Sequence, residues 1–291
     1  MTADDQLLYE ARVRPRQAVI AGVAAASLLA ASITQLVGPH SKVNELTIGL
    51  ITEHKRMGLD LLGAAFQAIG SLTVAWTLVF LFRATKARNP KLPNVLKILA
   101  ILGGVLAAVA GIVSAVLISI KSGQFVKHGD QTYEQAHHLT SSAAFVAPQI
   151  LVQAAALLVA IAFVMVCLQA MRVGLLTRFL GYLGIFAGVM VIIPVVQLPV
   201  VQAYWLGAVA YLLTGRWPSG VPKAWSTGRA EPWPSAAAMR EQRAEGIRRQ
   251  GRPKPGGRKA APVPEPEKEP ETVAARTTRA NTSKRKRKRR H

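Results

Sequence analysis

Long, nearly uncharged apolar runs limit what this chain can fold into more than any other feature. Residues 17–37, 59–82, 98–120 and 147–170 each reach the roughly 20 residues that cross about 30 Å of hydrocarbon at about 1.5 Å per residue. The only acid among them is Asp60, at the start of the second run. A further run, 179–213, has no charge but is too long for one span, and Pro194 and Pro199 bracket its middle. Reading it as two spans, 179–194 and 199–213, joined by a turn near Gln197, gives about six transmembrane helices. The runs are continuous and rich in Ala and Leu rather than alternating, which favours an all-α polytopic helical membrane bundle over a barrel. The first run follows an extended, partly acidic segment, which fits a retained signal anchor better than a cleaved signal peptide.

Charge is segregated along the chain. Of the net +21, residues 1–214 hold 15 Lys and Arg against 8 Asp and Glu, and residues 215–291 hold 21 against 7. Basic residues also alternate between connections. Arg12, Arg14 and Arg16 precede the first run, Arg83, Lys86, Arg88, Lys91 and Lys97 separate the second from the third, and Arg172 and Arg178 separate the fourth from the fifth. The other connections hold Lys42, Lys55, Arg56, Lys121 and Lys127. Because cytoplasmic loops accumulate Lys and Arg, both termini are expected in the cytoplasm of a multi-pass plasma-membrane protein, with an even number of spans. The expected organisation is a cytoplasmic segment 1–16, a six-helix domain 17–214, an interfacial segment 215–250 and a tail 251–291.

Helices associate in lipid through close packing of small residues. Gly103, Ala107, Gly111 and Ala115 fall four apart on the third run, Gly22, Ala26 and Ala30 on the first, and Gly184 with Gly188 forms a GxxxG on the fifth. These stripes serve either packing within one bundle or a homo-oligomer face. Polar residues inside the runs are uncharged: Gln67, Gln153, Gln169, Ser71 and Ser114. The lack of a central charge, which costs about 2.5–3.5 kcal/mol on insertion scales, argues against proton-coupled transport but leaves room for a channel or solute site built from amides and backbone. Asp60 reads as an interfacial residue or as an acid near a helix start.

Five of the six histidines fall in the two larger connections expected outside the cell. His128, Asp130, Glu134, His137 and His138 form the densest group, and a helix over 134–138 would place Glu134 on one face with His137 or His138, a spacing suited to Zn²⁺. No HExxH or CxxC motif reinforces a metal site, and no nucleotide, hydrolase or protease fingerprint is present, so no cofactor is expected and an enzyme is the less favoured class. The single cysteine, Cys167, lies in an apolar run and forms no intramolecular disulfide.

After the last run, Trp217, Trp225 and Trp233 recur among Gly and Pro, a pattern that places amphipathic rings at the inner headgroup region. Residues 235–250 read as a short polar helix capped by Ser235. From 251 onward Pro, Gly, Lys, Glu and Ala dominate, a composition expected to remain disordered. The tail ends in Lys284, Arg285, Lys286, Arg287, Lys288, Arg289 and Arg290, seven adjacent cations suited to anionic lipid headgroups or to RNA.

Arg178-Phe-Leu-Gly-Tyr-Leu-Gly-Ile-Phe-Ala-Gly188, an Arg entering a span as RxLGxLGxxAG, resembles a segment of uncharacterised multi-pass bacterial membrane proteins, and the Ala, Val and Arg bias resembles actinobacterial chains. The resemblance covers one helix and implies no activity. Three functions follow from these readings: a non-enzymatic packing or interaction module whose tail binds a polyanion, a small-solute transporter or channel lined by the Gln-bearing spans, and a metal-dependent membrane enzyme using the outer histidines.

Overall fold

The computed structural model describes residues 3–39, 45–128, 130–193, 199–218, 220–234, 240 and 244–245. The described residues are all-α: α1 (Ala3–Leu36), α2 (Leu46–Arg88), α3 (Val95–His128), α4 (Tyr133–Ser141), α5 (Ala143–Arg172), α6 (Arg178–Ile192), α7 (Val200–Leu213) and α8 (Ala224–Thr227). By cluster the chain divides into residues 1–235, which hold these helices, and 236–291, nearly all of which lies outside the described residues. The expectations for the 235–250 helix, the disordered tail and the cations 284–290 therefore fall there.

Four helices, α1, α2, α3 and α5, are long and apolar enough to cross a membrane. They outrun the apolar stretches: α2, with 43 residues, is about 64 Å long, twice the hydrocarbon thickness. Its first turns therefore project beyond the 59–82 run. The split of the 35-residue run is seen, since α6 and α7 lie on either side of it. Of the six expected spans, four are long helices of this kind, and the other two correspond to shorter apolar helices, α6 and α7, of 15 and 14 residues, about 22 and 21 Å long.

Neighbouring helices close into a ring, α1–α2–α3–α5–α6–α7 and back to α1, with α2 also touching α5 across it. Two ends of the ring can be named from the chain. The tail face carries 3–16, 83–97, 172–178 and 213–234; the loop face carries the start of α2, the end of α3 and α4. Ring glycines set the helix separations. A Cβ on Gly103 would lie 2.9 Å from the Val159 backbone nitrogen, one on Gly184 2.5 Å from Cys167 Sγ, and one on Gly188 2.8 Å from Val164 Cγ2. Gly103 thus packs α3 on α5, and Gly184 and Gly188 pack α6 on α5. Outward-facing side chains are apolar, among them Val105, Val109 and Ile112 on α3, Ile150 and Leu157 on α5, and Trp76 on α2.

On the tail face, α5 and α7 end at Gly174 (φ +79°) and Gly215 (φ +80°), the left-handed conformation that closes a helix C-terminus. At Gly174 a side chain would also run into the Glu231 carbonyl. The following segment folds back under the ring. Trp225 is 3% exposed, stacks on Phe80 at 6.0 Å, and donates from Nε1 to the Leu175 carbonyl at 2.8 Å. Trp233 donates to the Leu176 carbonyl at 2.9 Å, Glu231 N donates to the Val173 carbonyl, and Arg178 donates to the Pro234 carbonyl. Trp225, expected among headgroups, is instead buried against the protein, its indole donating to the Leu175 carbonyl of the connection between α5 and α6.

A buried ion pair locks the same face. Arg88, at the end of α2, donates from Nη1 and Nη2 to Glu10 Oε1 and Oε2, both at 2.8 Å, in a fork with both side chains almost fully buried. Its Nε and Nη2 also reach the Ala224 carbonyl, at 3.0 and 2.7 Å. Arg14 lies over the Trp225 ring, 4.3 Å from its centroid, and donates to the Trp225 carbonyl at 2.8 Å. Residues 10, 14, 88 and 225 are thereby one unit joining α1, α2 and α8.

Candidate functional site, a two-part cavity inside the ring

The centre of the ring is hollow. A polar cavity of about 430 Å³ is lined by Gln35 of α1, Glu53, Asp60 and Gln67 of α2, Ser114 of α3 and Gln149 of α5. A second, apolar cavity of about 380 Å³ is lined by Leu28, Val74, Ala156, Phe163, Met190 and Val201. The two share Gln67, Gly111, Val152 and Pro199 in their walls. The polar part reaches Glu53 on the loop-face end of α2. The apolar part ends on Phe163 and Val74, beyond which the packed core of Leu78, Phe82, Val166 and Trp205 closes the tail side.

Helical spacing explains why these residues meet. On α2 the wall is Glu53, Asp60, Gln67 and Val74, each seven apart, which is close to two turns. On α5 it is Gln149, Val152, Ala156, Val159 and Phe163, at steps of three and four. On α3 it is Ala107, Gly111, Ser114, Ala115 and Ile118. The α3 stripe therefore divides its work. Gly103 packs against α5, whereas a Cβ on Gly111 would meet nothing within 4 Å. Ala107, Gly111 and Ala115 are the small residues whose missing volume leaves the space open.

The mouth is electrostatically uneven. Arg56 is buried and donates from Nη2 to the Thr34 and Gln35 carbonyls in the last turn of α1, at 3.1 and 3.3 Å. The same nitrogen lies 3.5 Å from Asp60 Oδ1. Ser114 Oγ is buried with no hydrogen-bond partner among the described residues, and the Asp60 carboxylate faces the Glu53 carboxyl group across the polar wall. Asp60 thus sits deep in the body of α2, neither at a helix start nor free at an interface. Glu53, seven residues before Asp60 on the same helix, brings a second carboxyl group to this mouth.

Of the polar residues singled out in the sequence, Gln67, Ser71 and Ser114 line the cavities, while Gln153 is exposed on the outside of α5 and Gln169 lines neither. Gln35, Glu53, Gln149 and Gln202 were not singled out. The seven-residue repeat of 53, 60 and 67 was a legible sign of the α2 wall. Gln202 donates to the Ala187 carbonyl at 3.2 Å, tying α7 to α6 at the cavity floor. The helix expected over 134–138 exists as α4, capped by Thr132 Oγ1, which accepts from Gln135 N. Asp130, Glu134, His137 and His138 are exposed on and beside it, and His137 lies beside Tyr133. Among the described residues no three His, Cys, Asp or Glu side chains gather as a metal site. The His128 side chain lies outside the described residues. Comparison with protein-family models, curated proteins and solved structures finds no match.

Proposed function

We propose that this protein is a small-solute membrane protein of the transporter or channel class, holding its solute in the two-part cavity and admitting it from the loop face. The observation that carries the reading is that the two cavities adjoin, sharing Gln67, Gly111, Val152 and Pro199 in their walls, with Glu53 lining one and Phe163 the other. A module made only for packing has no need of a hollow centre bordered by polar groups, because such groups cost stability when buried. The bias of Lys and Arg towards the tail face supports a cytoplasmic tail face and a cavity mouth on the outer side. The resemblance of 178–188 to uncharacterised bacterial membrane proteins is compatible with this class and adds no solute. The cation run 284–290 is proposed, on charge alone, to engage anionic headgroups. The outer histidines are not needed for this reading.

Thiol accessibility tests the proposal. Cys167 is fully buried, so the native chain is a quiet background. In proteoliposomes, Ser114→Cys is expected to react with a charged, membrane-impermeant methanethiosulfonate applied to the loop face, about tenfold or more faster than Val109→Cys on the lipid-facing side of α3, since only a thiol that meets water forms the thiolate. Equal, slow labelling of both would remove the water-open cavity. Labelling of Ser114→Cys from either face would turn the reading from a site open on one side to a pore.

A further inference from the structure

We propose that the occupant of this cavity is a single-chain amphiphile with a hydrogen-bond-donating head, a hydroxyl or an ammonium, whose chain lies in the apolar compartment and whose head lies between Asp60, Ser114 and Gln67. The inference rests on reading the cavity as a solute site and adds the chemistry of the solute. A purely polar solute leaves the inner compartment unmatched, because Leu28, Val74, Ala156, Phe163, Met190 and Val201 offer it no partner. A purely apolar one leaves Ser114 Oγ buried without a hydrogen bond and lies against the carboxyl groups of Glu53 and Asp60. Only a molecule with both parts satisfies both ends, in the general pattern of a mostly apolar pocket with a few polar groups that fix orientation.

The shape agrees with a chain rather than a compact solute. Along α5 the wall runs from Gln149 to Phe163, about 21 Å of helix, and the two compartments meet at Gly111, where no side chain intrudes. The charge selects the head. The mouth offers two carboxyl groups, Glu53 and Asp60, in its lining, whereas Arg56, whose Nη2 reaches Asp60 Oδ1 and the Thr34 and Gln35 carbonyls, is outside that lining. The other groups facing Glu53 across the cavity, Gln35 of α1, Ser114 of α3 and Gln149 of α5, are uncharged. A carboxylate or phosphate head would face two carboxyl groups against one arginine, whereas a hydroxyl or ammonium finds acceptors in both. A membrane lipid with such a head and a free long-chain amine or alcohol share this chemistry.

Protection of the Ser114→Cys thiol reads occupancy at the site itself, in the full chain in lipid nanodiscs. Three probes are compared: dodecylammonium, ethylammonium and dodecanoate, with Tyr133→Cys on the exposed face of α4 as the control for general surface effects. Dodecylammonium is expected to slow Ser114→Cys labelling saturably without slowing Tyr133→Cys, and dodecanoate is expected not to. Gly111→Leu places a side chain in the open neck and suits a helix better than glycine. It is expected to weaken dodecylammonium protection about tenfold or more, the scale of excluding a few methylenes from a pocket, while ethylammonium protection changes less than about twofold. Gly111→Ala, a smaller plug, is expected to fall between. Dodecylammonium protection that is unaffected by Gly111→Leu, or equal protection by dodecanoate, overturns the amphiphile and leaves a small-solute site standing. A dodecyl addition for a membrane-resident ligand should be outcompeted by enriching the disc in a hydroxyl- or amine-headed single-chain lipid; no competition assigns a free source. An unreactive Ser114→Cys removes the cavity reading itself, and the amphiphile with it.

Discussion

Arg88→Met is expected to be among the most damaging single substitutions in the described part of the chain, lowering stability by about 3–5 kcal/mol, because it leaves a buried carboxylate without its counter-ion. Glu10 is 1% exposed, and both of its oxygens are held by Arg88 at 2.8 Å. The Ala224 carbonyl loses two donors in the same change. The effect should appear as a large drop in apparent Tm and as loss of a monodisperse peak after detergent extraction. Glu10→Leu combined with Arg88→Met should recover much of the loss, since replacing both partners removes the stranded charge. Recovery should stay incomplete by about 1–3 kcal/mol, the cost of leaving the buried Ala224 carbonyl unpaired. A double variant as unstable as Arg88→Met alone would show that the ion pair is not what holds this face together.

Trp205→Ala is the second change expected to be severe, at about 3–5 kcal/mol, from the cavity it leaves and the dispersion contacts it forfeits. Trp205 is fully buried, its ring centroid lies 4.6 Å from that of Phe163, and its Nε1 donates to the Leu180 carbonyl at 2.9 Å. A Cβ on Gly184 would come within 2.6 Å of the indole nitrogen, so the ring and the glycine are fitted to one another. The residue joins α5, α6 and α7 under the apolar compartment. Its removal should therefore lower the apparent Tm and also raise the reactivity of Cys167, now opened to the new void. Trp205→Phe keeps most of the contact and should cost distinctly less. A Trp205→Ala protein with wild-type Tm and an unreactive Cys167 would mean that α6 and α7 are held by other contacts.

Both expected losses concern residues whose importance the letters hide. Arg88 reads as one of five basic residues in a connection, and Glu10 as one acid of an N-terminal segment. Only the end-to-end antiparallel packing of α1 and α2 brings them together across 78 positions. Trp225 likewise shares its spacing with two other tryptophans that suit a headgroup region, and what distinguishes it is the buried Leu175 carbonyl between α5 and α6, to which its indole donates. Asp60 illustrates the same point inside the ring. Its position at the edge of an apolar run suggests an interfacial residue, whereas Arg56, one turn earlier, and Glu53, two turns earlier, make it part of a polar wall.

The sequence by itself determined the all-helical class of the described residues, the presence of several apolar spans, and the break of the run 179–213 near its middle. Those properties follow from transfer of a continuous apolar backbone segment out of water, which depends on composition and length alone. Tertiary structure decided the rest: how far α1 and α2 extend beyond their apolar runs, that Gly103 packs while Gly111 leaves a void, that Gln67 faces inward and Gln153 outward, and that Trp225 is buried. The physical reason is that lipid and protein interior are almost equally apolar, so hydropathy marks a helix as membrane-embedded without saying which side meets lipid, a neighbour or a cavity. That choice depends on shape and on where hydrogen-bond partners lie, and both exist only once the helices have closed into a ring.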